Sequence, residues 1–280
     1  MNEDKTVRLF EDSLNETIIK IVDKSKGAEQ LVKIIETTKG KYILKMPREK
    51  VQVFREIFAC ENLKNLPVPK IFYKHKDFVV EEYMEGIDLD EVKLSPKQEK
   101  EIYCQMGNIL SNIHKTRTEG FGFIGLNGKG EYLSLKEKIY KEFQESLNFF
   151  KKGNFLSLEE IEKAKEYFNK NESFLDSTES VLLHFDYEDW NIRINDGRVA
   201  GIIDFGDLSA GPKAYDLARP FISYYGSRKF DYFMEGYGKA NMEEVKYYAF
   251  LSLLWMVIYH YLLGDTNFKE KLKILRSIIY

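Results

Sequence analysis

The hydrophobic periodicity of this chain changes near residue 87, and the change restricts the folds that it can adopt. Before that point, short segments alternate apolar and polar residues as strands do: T-I-I-K-I-V, L-V-K-I-I-E-T, Y-I-L-K-M, K-I-F-Y-K and F-V-V-E-E-Y. One helical pattern lies among them, with Val51, Phe54 and Phe58 on one face, and L-P-V-P ends it because proline cannot continue a helix. This part of the sequence predicts a small antiparallel sheet with one helix.

The remainder of the chain is predicted to be mainly helical. Helical periodicity appears in residues 96–115, 134–151 and 157–171, and the last segment opens with the capping box S-L-E-E. The exception is residues 191–204, which read as two short strands around an N-D-G turn. We therefore expect an α+β protein with an N-terminal domain at 1–86, a C-terminal domain at 87–280 and a helical insertion at about 134–175.

Composition argues against several classes of protein. A formal net charge of −3 gives no sign of a basic face for nucleic acid. Residues 247–264 carry no charge, but their tyrosines, serine and histidine favour a buried core helix over a membrane span. Cys60 and Cys104 form neither a disulfide framework nor a metal-binding spacing, and the N-terminus shows no apolar leader. We expect a cytoplasmic protein that requires no membrane, nucleic acid or obligate protein partner.

Two aspartates and an asparagine lie at a spacing that indicates a catalytic site. In H-F-D-Y-E-D-W-N (184–191), Asp186 precedes Asn191 by five residues, and Asp204 ends the strand in I-I-D-F-G-D. The hairpin should bring Asp204 beside the loop, so that one carboxylate faces a substrate hydroxyl while Asn191 and Asp204 offer oxygen ligands suited to magnesium. H-x-D-x-x-x-x-N followed by D-F-G is the spacing of a kinase catalytic loop and its metal-binding aspartate. The alternatives are an Asx turn, an exposed strand end, and backbone hydrogen bonding for His184.

A lysine on the third predicted strand is a candidate for binding phosphate. Lys45 faces the side of the strand opposite to its apolar neighbours, and a lysine placed there is costly unless it meets an anion. Glu56 on the following helix can reach it, and phosphoryl-transfer enzymes use such a lysine–glutamate pair. Glu49 and Glu61 are rivals for this role, and the alternative is a surface lysine with its stem lying along the sheet.

The loop K-S-K-G-A connects the first two predicted strands. Its residues Ser25 and Gly27 can direct backbone N–H groups at phosphate oxygens, as glycine-containing loops do in many nucleotide sites. One glycine in a five-residue loop is also found in ordinary hairpins, so this reading depends on the neighbouring residues.

Together these segments resemble the aminoglycoside phosphotransferase family, small-molecule kinases that share the two-lobed protein-kinase-like fold. The resemblance covers most of the chain: Y-I-L-K-M, R-E-I-F-A-C-E-N-L-K-N-L-P-V-P-K-I-F, V-V-E-E-Y-M-E-G, I-H-K-T-R-T-E-G-F-G-F-I-G, L-H-F-D-Y-E-D-W-N and I-I-D-F-G-D-L-S-A-G-P-K-A-Y-D-L-A. It implies transfer of the γ-phosphate of ATP or GTP, with Mg²⁺, to a hydroxyl of a small molecule.

The resemblance also implies a role for individual residues. Asp186 corresponds to the catalytic aspartate, Asn191 and Asp204 correspond to the metal ligands, and the position of the helix favours Glu56 over Glu61. The backbone of Glu82 and Met84 is expected to hold the edge of the adenine ring, in the nucleotide site to which Lys45 also belongs. One departure is Phe185, which stands where the family usually has glycine and must point away from the substrate.

Other functions are less consistent with the sequence. A protein kinase would need G-x-G-x-x-G before Lys45 and A-P-E after D-F-G, and the chain has neither. A catalytically inactive binding module would be expected to lack Lys45, Asp186 or Asp204, and all three are present. Relatives act on aminoglycosides, macrolides, choline, homoserine and methylthioribose, so the catalytic motifs leave the acceptor open.

Charge distribution offers a hypothesis for the acceptor. Residues 1–86 hold 16 basic and 15 acidic residues, whereas residues 87–280 hold 26 basic and 30 acidic residues. Glu188, Asp189 and Asp207 lie within the catalytic motifs themselves. Because a cleft lined by one sign of charge attracts ligands of the other, we predict a cationic, aminoglycoside-like acceptor. The alternatives are a neutral or zwitterionic metabolite as acceptor, and acidic residues that serve only solubility.

Overall fold

The computed structural model describes residues 10–11, 14–23, 30–47 and 49–280. The chain forms two compact units, of which the first comprises Met1–Gln98, Gly125–Gly128 and Asp189–Leu208, and the second comprises Glu99–Ile124, Lys129–Glu188 and Ser209–Tyr280. These units do not coincide with the predicted domains 1–86 and 87–280, because the strands at 192–202 pair with residues just beyond the first predicted domain and join the first unit. The compact units divide the chain in another way than the predicted domains do, and the domain division at residue 87 stays a prediction.

The first unit contains a five-stranded antiparallel sheet in the order β1-β2-β3-β5-β4. Its elements are β1 (Ile18–Asp23), β2 (Gln30–Thr37), β3 (Lys41–Pro47), the helix α1 (Lys50–Asn62), β4 (Ile71–Lys74) and β5 (Val79–Glu82). On one face of the sheet, Tyr42 and Leu44 of β3 pack with Phe10, Phe78 and Val80 in a hydrophobic cluster. The strands and the helix expected here from the sequence are confirmed.

Helix α1 buries a different side from the one that its apolar pattern indicated. Val51, Phe54 and Phe58 are only half-buried, whereas the buried residues are Val53, Arg55, Glu56, Ala59 and Cys60. The helix contacts strand β3, whose helix-facing side carries a lysine. Glu56 is therefore buried by an ion pair and Arg55 donates a hydrogen bond to the Gly206 carbonyl oxygen, contacts that a hydrophobic pattern does not reveal.

A second, three-stranded sheet in the first unit has the order β11-β10-β6. It consists of β6 (Ile87–Asp88), β10 (Ile192–Asn195) and β11 (Arg198–Ile202). Asp196 and Gly197 in the N-D-G turn have positive φ angles of 49° and 71°, the conformation that a two-residue type I′ hairpin turn requires. The predicted hairpin is confirmed, and its open end holds Asn191 on one side and residues 203–204 on the other.

The second unit contains a small sheet and most of the helices. Its strands are β7 (Phe121–Ile124), β8 (Gly130–Tyr132), β9 (Val181–Leu183) and β12 (Ser209–Gly211), in the order β8-β7-β12-β9. Its helices are α2 (Pro96–Ile113, which begins in the first unit), α3 (Leu135–Gly153), α4 (Leu158–Asn171), α5 (Lys213–Ser223), α6 (Arg228–Tyr237), α7 (Met242–Leu262) and α8 (Phe268–Ile279). The capping box predicted at residues 157–160 is present at the start of α4. The predicted α+β fold class is confirmed.

The uncharged segment of the sequence forms most of α7, a helix of the protein core. Tyr247, Phe250, Leu254 and Val257 are buried, and the helix packs against α5, α8 and α3. The Tyr248 hydroxyl donates a hydrogen bond to the Phe174 carbonyl oxygen at 3.0 Å, which satisfies one polar group of the segment. Within the described residues, no helix has the length and apolar character that crossing a membrane requires.

Candidate active site

Lys45 lies between two carboxylates in the first unit. Strands β3 and β5 pair Lys45 with Val79 and Ile43 with Glu81, so the alternation of side chains places Lys45 and Glu81 on one face of the sheet. The Lys45 Nζ lies 2.7 Å from the Glu56 Oε1 and 2.8 Å from the Glu81 Oε1, and only 4% of the lysine is exposed. Burial alone would lower its pKa, but the Glu56, Glu81 and Asp204 carboxylates raise the pKa of Lys45 well above its ordinary value. The site is thus built around a permanent cation.

Glu56 connects this lysine to the backbone beside Asp204. While its Oε1 accepts from Lys45, its Oε2 accepts a hydrogen bond from the Phe205 N–H at 2.9 Å. Of the rival glutamates, Glu61 forms an ion pair with Lys74 and Glu49 is exposed. The structure therefore brings Lys45 to Glu56, and a single buried carboxylate fixes the lysine relative to the D-F-G segment.

Asn191 and Asp204 meet at the open end of the β10–β11 hairpin. The Ile203 N–H donates to the Asn191 carbonyl oxygen at 3.0 Å, one residue beyond the last strand pair. Asn191 is buried and Asp204 is half-buried, with a φ angle of 68° that aspartate tolerates better than most residues. A carboxamide and a carboxylate are thus available at one place in the first unit.

Arg193 fixes the segment that follows β5. Its Nε donates to the Met84 carbonyl oxygen at 3.2 Å, and its guanidinium also binds the Gly86 carbonyl oxygen and the Asp88 carboxylate. Gly86 has a φ angle of 121°, and a Cβ there would lie 2.3 Å from the Ile194 carbonyl oxygen, so only glycine fits. The Glu82 N–H donates to the Lys70 carbonyl oxygen at 2.8 Å, which fixes the other end of the segment.

In the second unit, the buried Asp216 of α5 organises the loop that contains Asp186. Its two carboxylate oxygens accept hydrogen bonds from the His184 N–H at 2.8 Å and the Phe185 N–H at 2.9 Å, and His114 Nε2 lies 3.0 Å from Oδ2. Burial alone would raise the pKa of Asp216, but the hydrogen bond and charge of His114, with His184 and the Phe185 N–H, hold it below its ordinary value. The His184 ring accepts in turn from the Asp186 N–H at 3.3 Å, so this histidine supports the backbone.

Arg219, one turn further along α5, contacts the side chain of Asp186. Its Nη2 lies 2.7 Å from the Asp186 Oδ1, and its Nε lies 3.2 Å from the Glu188 Oε1. Glu188 is buried and also accepts a hydrogen bond from the Ser223 hydroxyl at 2.6 Å. Burial raises the pKa of Glu188 to about 7 despite the lowering effect of Arg219 and Ser223. Asp186 is therefore held in one orientation by a half-buried guanidinium.

Phe185 has a backbone conformation that glycine adopts more readily than a bulky residue. Its φ angle is 67°, in the left-handed region that costs a bulky residue about 1–2 kcal/mol. The ring packs edge-to-face against Phe123 and Tyr215, with centroid separations of 6.0 and 5.0 Å. The aromatic contacts and the hydrogen bond to Asp216 offset the strained conformation.

The remaining predicted site residues fall into three groups. Ser25 and Gly27 lie outside the described residues. Asp189 and Asp207 are partly exposed in the first unit, whereas Glu188 is enclosed in the second.

Sequence reasoning missed Glu81, Asp216 and Arg219. A signal was present for the last two, since G-P-K-A-Y-D-L-A-R places an aspartate and an arginine three residues apart at the start of a helix, where they share one face.

Known proteins resemble this chain in family and fold. The profile of the phosphotransferase enzyme family matches residues 21–251. Among solved structures, aminoglycoside phosphotransferase APH(4)-Ia is 16% identical with a TM-score of 0.76, covering 99% of this chain and 98% of that chain. The ADP-bound APH(2'')-Ib is 19% identical with a TM-score of 0.72, covering 99% of both chains. The gentamicin complex of APH(2'')-IIa is 17% identical with a TM-score of 0.67, covering 100% of this chain and 96% of that chain. No curated protein sequence matches.

Proposed function

This chain belongs to the phosphotransferase enzyme family, and from that premise we propose that it transfers the γ-phosphate of ATP or GTP to a hydroxyl of a small molecule. The observation that carries the proposal is the buried connection from Lys45 through Glu56 to the Phe205 N–H, beside Asp204. It holds a permanent cation next to the carboxylate of the D-F-G segment. Phosphoryl transfer depends mainly on such positioning and on charge neutralisation.

The nucleotide is assigned to the first unit. Lys45 binds phosphate oxygens, and Glu56 fixes the direction of its ammonium group. The backbone of Glu82 and Met84 holds the base, in a segment that Arg193 keeps in place. The backbone N–H groups of Ser25 and Gly27 bind phosphate oxygens in this proposal, as the sequence suggested.

Asn191 and Asp204 would hold Mg²⁺, and their chemistry fits that ion. Carboxamide and carboxylate oxygens are hard donors, and few protein ligands are needed because Mg²⁺ keeps waters and binds phosphates as well. The Asp204 carboxylate also helps to raise the pKa of Lys45, which keeps the phosphate-binding lysine cationic. When bound, Mg²⁺ neutralises charge on the phosphates and helps to orient them.

Asp186 receives the proton of the acceptor hydroxyl in this proposal. Arg219 fixes its carboxylate, and the hydrogen bonds from His184 and Phe185 to Asp216 fix its backbone. These contacts give Asp186 a defined direction before the substrate arrives, and such preorganisation lowers the barrier of the chemical step.

Magnesium–ATP or magnesium–GTP is expected to raise Tm. A ligand that binds only the native state at a hundredfold excess over Kd adds about 2.7 kcal/mol of stability, which corresponds to a shift of roughly 5–10 °C for a chain of this size. Lys45→Ala should reduce the shift, whereas Lys64→Ala, which removes an exposed lysine, should leave it unchanged. Differential scanning fluorimetry with and without millimolar nucleotide measures both. No shift with either nucleotide would favour a binding module of another kind over the kinase.

For the acceptor we propose a cationic, aminoglycoside-like compound. The acidic balance of residues 87–280 supports it, and APH(2'')-IIa, which has a similar fold, forms a complex with gentamicin. The exposed part of that acidity includes Asp189 and Asp207. One observation favours a neutral or zwitterionic alcohol such as homoserine instead. Glu188 and Asp186 both contact Arg219, so its guanidinium already compensates part of the negative charge that these two acids would offer to a cationic acceptor.

Binding of kanamycin- and gentamicin-type compounds should weaken as the salt concentration rises. Screening shortens the reach of surface charge, with a Debye length of about 10 Å at 0.1 M and about 3 Å at 1 M. Isothermal titration calorimetry at both salt concentrations measures the effect, and a small uncharged alcohol provides a comparison with little salt dependence. If no aminoglycoside binds at low salt while a small uncharged alcohol is phosphorylated, the acceptor assignment is wrong and the kinase assignment stands.

A further inference from the structure

Glu81 is a second buried carboxylate on Lys45, beside the Glu56 of the lysine–glutamate pair. Only 1% of the residue is exposed, and its Oε1 lies 2.8 Å from the Lys45 Nζ. Among the described residues, its other oxygen, Oε2, has no hydrogen-bond partner. A carboxylate oxygen that is buried without a partner costs free energy, so its presence requires an explanation.

The surroundings of Glu81 hold more negative than positive charge. Among the residues that the structure describes, Lys45 of β3 is the one cation that forms an ion pair with it, while α1 presents Glu56 and the thiol of Cys60 within 4.8 Å. Asp204, after β11, adds a further negative charge to the field at Lys45. The residue paired with Glu81 on β4 is the apolar Ile71. Two buried carboxylates thus share one ammonium group.

Nucleotide binding would disturb this balance. If phosphate oxygens attract the Lys45 ammonium, less of its charge remains to compensate the two carboxylates, and like charges at this distance cannot both stay ionised cheaply. Glu56 keeps the hydrogen bond from the Phe205 N–H, which favours its ionised form. Glu81 has no such bond at Oε2, so it is the carboxylate that gains the proton.

We propose that Glu81 is a positioning residue that holds Lys45 in the free protein and that, at alkaline pH where Glu81 is ionised, it takes up one proton from solvent when Lys45 engages the phosphates of a nucleotide. The inference rests on the proposed function, because it takes Lys45 as the phosphate-binding group. It adds Glu81 to the nucleotide site and makes proton uptake a part of nucleotide binding. The bond that forms is the O–H bond of the Glu81 carboxyl group, and the buffer supplies the proton.

The titration of Glu81 sets the pH range in which this uptake is visible. Burial, together with Glu56, raises the pKa of Glu81 to about 8 although Lys45 lowers it. Below this value Glu81 already carries its proton before nucleotide binds, and above it the proton must be gained on binding. Nucleotide affinity should therefore fall as pH rises above about 8, with a limiting slope of tenfold per pH unit.

Isothermal titration calorimetry of the full chain with magnesium–ATP, in buffers that differ in ionisation enthalpy, measures the proton uptake directly. We expect uptake to approach one proton per nucleotide at pH 9 and to be much smaller at pH 7. The terminal phosphate does not interfere at pH 9, since its second pKa is about 6. Glu81→Gln should bind nucleotide without proton uptake and with affinity that hardly changes between pH 8 and 9. Glu61→Gln, an exposed carboxylate paired with Lys74, should behave as wild type.

The outcomes distinguish a failure of this inference from a failure of the proposed function. Nucleotide binding by the wild type without proton uptake at pH 9 would overturn the inference and leave the proposed function intact, as would equal uptake by wild type and Glu81→Gln. Should Glu81→Gln fail to fold, the pH dependence of the wild type alone still decides. No binding of either magnesium–ATP or magnesium–GTP at any pH would overturn the proposed function, and the inference with it.

Discussion

Asp204→Asn and Asp186→Asn are each expected to lower kcat by about 10²–10³-fold or more while Tm stays within a few degrees of wild type. Both side chains act on charges that form during phosphoryl transfer, and removing one such electrostatic contribution costs a factor of this size. Asparagine is chosen because Asp204 has a φ angle of 68°, which asparagine tolerates and alanine does not. Steady-state kinetics and thermal melts of the purified variants measure both quantities.

The hairpin offers a matched control for these substitutions. Asp196 is an exposed aspartate with a φ angle of 49° in the turn between β10 and β11, so Asp196→Asn makes the same chemical change and does so in the left-handed backbone conformation that Asp204 also has. It should leave kcat and Tm unchanged. Near-wild-type turnover by both Asp204→Asn and Asp186→Asn would show that neither carboxylate has the role assigned to it.

Asp216→Ala is expected to lower the free energy of unfolding by about 3–5 kcal/mol, more than any other single substitution considered. The change removes a fully buried carboxylate, and it leaves the N–H groups of His184 and Phe185 and the ring of His114 without their acceptor. Urea denaturation measures the effect. Asp216→Asn keeps one acceptor oxygen and should be intermediate, whereas Asp231→Ala, at an exposed position of α6, should change stability by less than about 0.5 kcal/mol.

The difference in stability between wild type and Asp216→Ala should change with pH in one direction. Because the pKa of Asp216 in the folded protein lies below its ordinary value, the ionised form stabilises the fold above pH 4. That contribution is lost as pH falls through the folded pKa, so the stability difference between wild type and Asp216→Ala should shrink in acid. A difference that grows below pH 4, or an Asp216→Ala variant as stable as wild type at pH 7, would contradict the role of Asp216 in holding the loop.

Local signals in the sequence predicted much of the fold. Alternating residues identified the five strands of the first sheet, and N-D-G identified a turn whose two central residues have positive φ angles. Ser157 and Glu160 identified the start of α4. Each of these features depends on residues that are close together in the chain, so a short stretch of sequence is enough to predict it.

Residues whose roles depend on distant partners were not predictable in the same way. Glu81 appears in V-V-E-E-Y as one of two adjacent glutamates, and only the pairing of β3 with β5 shows that it meets Lys45. Arg219 and Asp186 are 33 residues apart, and their contact depends on how α5 packs on the loop. The buried side of α1 was mistaken for the same reason, because Glu56 and Arg55 on that side have partners that are distant in the sequence.

The phosphotransfer proposal is tested most directly by phosphorus NMR of the purified protein with Mg²⁺, ATP or GTP, and a panel of acceptors. The panel should include kanamycin- and gentamicin-type compounds, a macrolide, choline, homoserine and methylthioribose. We predict that a phosphate monoester signal appears with one class of acceptor, while γ-phosphate is consumed, and that Asp204→Asn and Asp186→Asn suppress it but Asp196→Asn does not. A protein that binds nucleotide yet forms no phosphorylated product with any acceptor, or whose product forms equally fast in all three variants, would contradict this account.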